Sequence, residues 1–308
     1  MLVYIRKACL LYIILFLCSC ASSTLPNGQP GDTSTLAGLQ AMQNTVKSNP
    51  RNSKTTNKMR EMALRETALS VGAQSGLAYR AKIIDDQLVR QTRYLDAIYD
   101  FNALLLEHNV LPPVLLEGRN TLNLADMQTI RISDRTYKVA KQAHFVTTPP
   151  NWRQYLWMDY QKPDAPHVSL LPVNKEERQI WMASVAKGWQ NGVDQANTIL
   201  EENIARIKED FTGMILYRKL LAMNMVTPPY VSHTDLGVTG DGEEIHIDDR
   251  VLRITALPAL NINSNEWKAA LEKDEQVLEQ FNDLEKRVEN AKIKITAKSW
   301  HPIISPLN

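Results

Sequence analysis

Histidine, cysteine and carboxylate side chains are the residues of this sequence that could bind a metal or catalyse a reaction. None of the histidines pairs in the H-E-x-x-H arrangement that binds zinc, and no cysteine is available to complete a zinc site. The sequence therefore gives little support to zinc. The six histidines are His108, His144, His167, His233, His246 and His301.

The best candidate for another metal is the acidic stretch from Asp235 to Asp249. Its oxygen ligands follow glycines, as in many calcium sites, but the spacing does not match a twelve-residue EF-hand loop. Alternating polar residues are also what the solvated face of a sheet requires. We favour this second interpretation and predict no metal site. The stretch holds Asp241, Glu243, Glu244, His246 and Asp248.

The sequence does not contain a recognisable catalytic set. It has no G-x-S-x-G nucleophile elbow, and Gly237, Gly240 and Gly242 are not followed by the Lys-Ser/Thr pair of a phosphate-binding loop. The paired carboxylates Glu201 and Glu202 lie on a predicted helix opposite its apolar stripe, as expected of a solvated face. We therefore expect a protein that is not an enzyme and that has no catalytic, cofactor-binding or metal-binding residues.

The first 19 residues have the features of a secretory signal peptide. Arg6 and Lys7 precede an apolar run from Ala8 to Leu17. This run is shorter than the roughly 20 residues that a membrane-spanning helix needs. We predict cleavage after Ser19.

The chemistry that the sequence does predict is lipid attachment at Cys20. The segment Leu17-Cys18-Ser19-Cys20 resembles the lipobox of bacterial lipoproteins, in which small residues precede the acylated cysteine. The alternative is an ordinary signal peptide with an incidental cysteine. By the same resemblance, Ala21 after the cysteine implies the outer membrane, with the body facing the periplasm.

Composition restricts the partners and the redox chemistry of the mature chain. Cleavage would remove Arg6 and Lys7 and change the formal net charge from +1 to −1. A near-neutral chain without a basic stripe gives no reason to expect direct nucleic-acid binding. Cys20 would be the only remaining cysteine, so the core must hold without disulfides.

Composition and periodicity divide the chain into five predicted parts. Residues 1–19 are the signal peptide, and 20–57, which contain no aromatic residue, are the lipidated cysteine and a flexible tether. Residues 58–172 and 173–293 are two repeats of a helix followed by a hairpin. Residues 294–308 are a tail.

Three helical patterns and two strand patterns lie within the repeats. The helical patterns run from Met59 to Asn109, from Glu176 to Met225 and from Trp267 to Ala291. The second would form a helix of about 75 Å, which Gly188, Gly192 or Gly213 is expected to bend or split. TIRISDRTYKV, at 129–139, predicts a hairpin turning at Ser133–Arg135, and EIHIDDRVLRI, at 244–254, predicts another.

The two halves match when the chain is shifted against itself by about 116 residues. Gly72, Gln74 and Gly76 then align with Gly188, Gln190 and Gly192, and the double prolines at 112–113 align with those at 228–229. With a shift of 115, Ile130 and Ile132 align with Ile245 and Ile247. Chance similarity between amphipathic helices is the alternative, but it does not explain prolines and hairpins in register. The pattern therefore favours an internal duplication.

These patterns predict an α+β, helix-rich fold. Long amphipathic helices would pack on a small antiparallel sheet, with approximate two-fold symmetry. Because a lone hairpin is marginal in water, we expect the two hairpins to join into that one sheet.

An aromatic stretch follows the first predicted hairpin. Tryptophan and tyrosine are favoured in protein–protein contacts. The alternative is that these rings cover the sheet and belong to the core. The stretch contains Trp152, Tyr155, Trp157 and Tyr160.

Several strings in this sequence resemble DotC, the family of outer-membrane lipoproteins of the type IVB (Dot/Icm) secretion system. They include NVLPPVLLEGRNTLNLAD at 109–126, TIRISDRTYKVAKQAHFVTTPPNWRQYLW at 129–157, GVDQANTI at 192–199 and TDLGVTGDGEEIHIDDRVLRITALPALN at 234–261. The similarity runs from about residue 60 to 268.

The resemblance implies a structural role in an envelope core complex that exports effector proteins. Members of this family act with a DotD-like lipoprotein to bring a DotH-like subunit to the outer membrane, in an assembly that includes DotF- and DotG-like subunits. The only family site that transfers to this chain is the acylated cysteine, Cys20. A solute-binding lipoprotein and an envelope hydrolase are the alternative functions.

Overall fold

The computed structural model describes residues 32–44, 58–267, 272–293 and 295. Two long helices dominate this part of the chain, α2 (Lys58–Arg90) and α5 (Lys175–Ala222). The shorter α-helices are α1 (Leu36–Ala41), α3 (Thr92–Ile98), α4 (Trp152–Leu156) and α6 (Glu272–Glu289).

The strands form three separate antiparallel pairs. The short strands β1 (Val110–Leu111) and β4 (His144–Phe145) pair with each other. Strand β2 (Val114–Asp126) pairs with β3 (Thr129–Lys141), and β5 (Tyr230–Gly240) pairs with β6 (Ile245–Ala256). The predicted α+β, helix-rich class is confirmed.

Helices α2 and α5 lie side by side and run parallel. Arg60 contacts Glu177, and Arg80 donates a hydrogen bond to Asn197. Both contacts join residues 117 positions apart, although they lie about 30 Å from each other along the helices. Because the sequence separation between contacting residues stays the same along both helices, the two helices must run in the same direction.

Four glycines allow the backbones of these helices to touch. A Cβ atom on Gly72 would lie 2.6 Å from the carbonyl oxygen of Val185, and one on Gly188 would overlap the carbonyl oxygen of Leu69. Gly76 and Gly192 make the same kind of contact with Trp189 and Ala73, respectively. The offset between the glycines, 116 residues, also relates their partners. These reciprocal contacts are the ones expected of a duplicated chain folded around a local two-fold axis.

The core surrounds the helix pair in three clusters. The largest lies between the C-terminal halves of α2 and α5 and the segment that connects these helices. It includes Phe101, Trp152 and Phe211. A second cluster near the start of α5 includes Trp181 and Trp189. A third holds Leu115 of β2 against Tyr217 of α5.

The first predicted helix is shorter than expected. It ends at Arg90, and the chain turns at Gln91 before α3, so the prediction of one helix to Asn109 is wrong. The apolar spacing continues past the turn because α3 and the 3-10 helix Phe101–Leu104 fill the same core. Periodicity alone does not distinguish one continuous helix from a helix followed by a turn and shorter helices that pack on the same core.

The second long helix is uninterrupted over 48 residues, about 72 Å. Asn174 caps it by accepting a hydrogen bond from the Glu177 backbone N–H, 2.7 Å away. The expectation that a glycine bends or splits the helix is wrong. Gly188 and Gly192 instead admit α2, and Gly213 admits the backbone of Leu115.

The two predicted hairpins also need correction. The segment TIRISDRTYKV is a single strand, β3, and its hairpin partner is the preceding β2. The turn follows Asp126, whose carboxylate accepts a 2.8 Å hydrogen bond from the Gln128 N–H, so Ser133–Arg135 do not form it. EIHIDDRVLRI is likewise mostly β6 and pairs back onto β5.

The hairpins do not join into one sheet. Each is a separate two-stranded ribbon, so that expectation is wrong. Both faces of each ribbon are largely exposed, and polar residues such as Ser133 and Asp134 are therefore compatible with an extended strand.

Part of the predicted tether is structured. Helix α1 packs on α5, where the indole N–H of Trp181 donates a 2.9 Å hydrogen bond to the carbonyl oxygen of Leu39. Leu39 and Met42 are buried. For residues 32–44, therefore, the expectation of a flexible tether does not hold. A few leucines are enough to order such a segment when they can pack on an apolar surface that the body already provides.

No helix among the described residues is both long enough and apolar enough to cross a bilayer.

Candidate interaction surfaces

The two long hairpins expose most of their residues to solvent. We call β2–β3, Val114–Lys141, the first arm and β5–β6, Tyr230–Ala256, the second arm. Apart from the residues at the base of each arm, most side chains of both arms are exposed. A two-stranded ribbon also leaves its outer backbone edges without a ladder partner.

One face of the first arm is apolar near its tip. Leu122 pairs with Ile132, and Leu124 pairs with Ile130. Directly paired residues share a face, as do residues two apart, so all four side chains lie together. They are 60–71% exposed, and Met127 in the adjoining turn is 99% exposed.

The second arm repeats this feature. Val238 pairs with Ile247, and Gly240 pairs with Ile245, which places these side chains on one face. Val238, Ile245 and Ile247 are 67–76% exposed. Solvated apolar side chains in a contiguous group are typical of a surface that a partner covers.

The two apolar tips align with each other when the chain is shifted against itself. Ile130 and Ile132 correspond to Ile245 and Ile247 at the offset of 115 residues. The tip residues Leu122, Leu124 and Val238 were not singled out from the sequence. The alternation Leu122-Asn123-Leu124 before a turn-forming Asp126 is the signal that would have revealed the partner strand.

The acidic stretch considered for a metal forms the outer half of the second arm. Asp235 pairs with Arg250 at 2.9 Å, and Asp249 accepts a 2.6 Å hydrogen bond from the Thr239 hydroxyl. Asp241 accepts hydrogen bonds from the backbone N–H groups of two turn residues, which lower its pKa. Within the described residues, no group of three or more His, Cys, Asp or Glu side chains is placed to hold a metal ion.

The bases of both arms attach to the last turns of α5. Gly213 lies against Val114 and Leu115 at the start of the first arm. The Tyr217 hydroxyl donates a 3.2 Å hydrogen bond to the carbonyl oxygen of Thr227, just before the second arm. Burial raises the pKa of Tyr217 to about 12.

A buried carboxylate fixes the first arm to the body. Asp210 of α5 accepts hydrogen bonds from the Lys141 ammonium at 2.6 and 2.7 Å and from the Tyr155 hydroxyl at 2.8 Å. Burial, followed by the hydrogen bond to Asp210, raises the pKa of Tyr155 well above its usual range. Sequence reasoning missed this cluster because Lys141, Tyr155 and Asp210 are distant in sequence.

A cleft of about 300 Å³ opens beside this cluster. It lies at the lower end of the range for small-molecule sites. Two of its charged groups, Asp210 and Lys141, already bind each other, and Tyr155 also donates a hydrogen bond to Asp210. The cleft is lined partly by Pro112, His144 and Arg206.

The other sequence candidates lie apart from one another. Glu201 and Glu202 are exposed on α5, as predicted for a solvated face. His144 is paired with Leu111 in the short β1–β4 ladder, and His233 and His246 lie on the second arm. His301 lies outside the described residues.

The aromatic stretch divides between core and surface. Trp152 is buried, and its indole N–H donates a 2.6 Å hydrogen bond to Asp96. Tyr155 joins Asp210 and stacks on Phe101, with ring centroids 5.8 Å apart. Trp157 and Tyr160 are exposed. The core interpretation therefore holds for the first two residues of the stretch.

The predicted lipidation site, Cys20, lies outside the described residues, as do the signal peptide and the tail beyond residue 295. Their assignment stays a prediction.

Two comparisons with known proteins bear on the chain. No curated protein matches it. The family model T4SS_TraI, described as type IV secretory system, conjugal DNA-protein transfer, matches residues 58–269, a range that includes both long helices and both arms. Because this match covers well over half of the 308 residues, the chain belongs to this family of type IV secretory system proteins.

Proposed function

We propose that this member of the type IV secretion family is a structural lipoprotein of a type IVB, Dot/Icm-like core complex. In this proposal Cys20 carries the lipid, the anchor lies in the outer membrane, and the body faces the periplasm. The chain acts with a DotD-like lipoprotein to place a DotH-like subunit there, beside DotF- and DotG-like subunits, for export of effector proteins.

The observation that carries the assembly role is the pair of exposed arms with apolar tips. An enzyme concentrates its perturbed and convergent groups in a cleft. Here the exposed features that require an explanation are two projecting ribbons, each with three or four solvated apolar side chains. A body that holds neighbouring proteins explains them better than a solute-binding protein or a hydrolase does.

The lipobox-like segment supports the anchor. The Cys20 thiol stands where the apolar run of the leader gives way to polar sequence. A single acyl chain binds a membrane marginally, whereas several chains hold a protein firmly. Bacterial lipoproteins usually carry three.

Replacement of Cys20 by serine, followed by cell fractionation, tests the proposal. We expect the Cys20→Ser chain and its DotH-like partner to leave the outer-membrane fraction together. Cys18→Ser is the matched control, since this cysteine would be removed with the leader, and it should leave both proteins in place. If the DotH-like partner stays at the outer membrane in the Cys20→Ser cells, the placement role is wrong.

The absence of catalysis is a separate part of the proposal. Isothermal calorimetry with periplasmic solutes addresses the solute-binding alternative, and peptidoglycan and peptide substrates address the hydrolase. Turnover of either substrate by the purified chain, or saturable heat with a solute, would overturn the purely structural role.

A further inference from the structure

We infer that copies of this chain bind each other head to tail, the tip of the first arm of one copy against the tip of the second arm of the next. The inference goes beyond the proposed function and does not need the lipid anchor. It follows from the exposure, the charge and the connection of the two arms.

The first step is that none of the residues that the structure describes covers either tip. Ile132 at the first tip and Ile247 at the second are both more than 70% exposed. The arms belong to separate sheets, and an isolated two-stranded ribbon is marginal in water. Covering the apolar faces would therefore stabilise both arms.

The second step is the opposite charge of the arms. Apart from Lys141, which is already paired with Asp210 of the body, the first arm carries four basic and three acidic side chains, whereas the second carries two basic and six acidic ones. Formal charges of +1 and −4 attract the first arm to the second and oppose contact between two second arms. A second copy of this chain offers each arm a partner of complementary charge and matching apolar face.

The third step is the geometry of attachment. The bases of both arms pack against the last turns of α5, near Gly213 and Tyr217, so the body holds them close together. Contact between two different surfaces is heterologous, and it continues from copy to copy into a closed ring or, if the rotation does not close, an open filament. Each tip is small, which places the contact among weak interfaces of less than about 1,200 Å². Closure of a ring would add avidity to such contacts.

Sedimentation equilibrium of the full chain, purified in a mild detergent, measures the association. The unchanged chain should associate as its concentration rises, and association should weaken at high salt because the arms attract electrostatically. The first-tip variant Ile130→Ser/Ile132→Ser and the second-tip variant Ile245→Ser/Ile247→Ser should each lower the association constant at least about tenfold. Met59→Ser/Met62→Ser, which changes comparably exposed residues of α2, is the control.

Mixing the two tip variants gives the decisive result. Each variant keeps one intact tip, so the mixture should form dimers that grow no further. If the second-tip variant alone still dimerises, like tips bind each other and the head-to-tail inference is wrong. A wild-type chain that stays monomeric at all accessible concentrations also overturns it, and the tips then serve a different protein or a lipid surface.

Discussion

Gly192 of α5 lies directly against Ala73 of α2, so close that a Cβ atom on the glycine would overlap the alanine's carbonyl oxygen. The equivalent contact in the other half of the chain joins Gly76 to Trp189. Backbone-to-backbone contact at both points sets the distance between the long helices.

Substitution of Gly192 by alanine should destabilise the protein. Alanine favours a helix over glycine by up to about 1 kcal/mol, but overpacking at a rigid backbone contact costs about 1–3 kcal/mol. We expect the free energy of unfolding, measured with urea, to fall by about 1–2 kcal/mol. Gly242→Ala is the control, because nothing lies within 4 Å of its Cβ position. An equal effect of both substitutions would show that the close contact does not matter.

Shortening of Leu39 should detach the N-terminal helix. Leu39 is fully buried beside Trp181, which also donates a hydrogen bond to its carbonyl oxygen. Leu39→Ala removes apolar contacts worth about 2–5 kcal/mol in a core, more than a six-residue helix can replace. Hydrogen exchange should report faster exchange over Leu36–Ala41, with little change in α2. Gln40→Ala, on the same helix, should leave the exchange rates nearly unchanged.

How far the sequence predicted this fold differs between its helices and its hairpins. The stripe around Trp181 and Phe211 predicted a long amphipathic helix and the structure has one, because a buried face imposes a period of 3.6 residues. The glycines within it were interpreted as breaks. Their role depends on a second helix that approaches from more than 100 residues away, which local sequence does not reveal.

The prediction of the hairpins failed for a different reason. Polar Ser133-Asp134 was interpreted as a turn because polar clusters usually mark turns. In a ribbon with both faces in solvent, polar residues can occupy strand positions, so a polar pair does not by itself mark a turn. The aligned Ile130 and Ile245 were found correctly, but their exposure was visible only in the structure.

The Asp210 cluster illustrates a third limit. No local pattern connects Lys141, Tyr155 and Asp210, which come from a strand end, a short helix and α5. Burial makes the carboxylate important, and burial is a property of the assembled fold.

The ion pair between Glu177 and Arg60 should make stability depend on pH. Burial alone would raise the pKa of Glu177, but hydrogen bonds from Arg60 and the Val173 N–H outweigh it and hold this pKa below its usual range. The stabilisation is therefore complete above the unfolded-state pKa of about 4.3. It is lost as the pH falls through the lower folded-state pKa.

Glu177→Gln tests this dependence by urea unfolding at several pH values. At neutral pH the variant should be less stable by roughly 1–3 kcal/mol, since a buried charged hydrogen bond is lost. The difference should shrink below about pH 4. The exposed pair Glu61–Arg65 provides the control, and Glu61→Gln should change stability by less than about 0.5 kcal/mol. A constant difference at all pH values would contradict the linkage.

Removal of the Asp210 carboxylate should loosen the base of the first arm. In Asp210→Asn the Lys141 ammonium loses its counter-ion and, being half exposed, can turn to solvent. The Tyr155 hydroxyl keeps an amide oxygen as an acceptor, so the substitution should mainly weaken the attachment of the first arm. A lost charged hydrogen bond costs roughly 1.5–3 kcal/mol. Amide exchange near Lys141 and its partner Val114 should accelerate about tenfold or more, while exchange in the second arm stays as it was.

Lys141→Met should reproduce the effect, whereas Lys138→Met, on the same strand without a bond to Asp210, should not. If both lysine variants behave alike, strand pairing rather than the ion pair holds the arm.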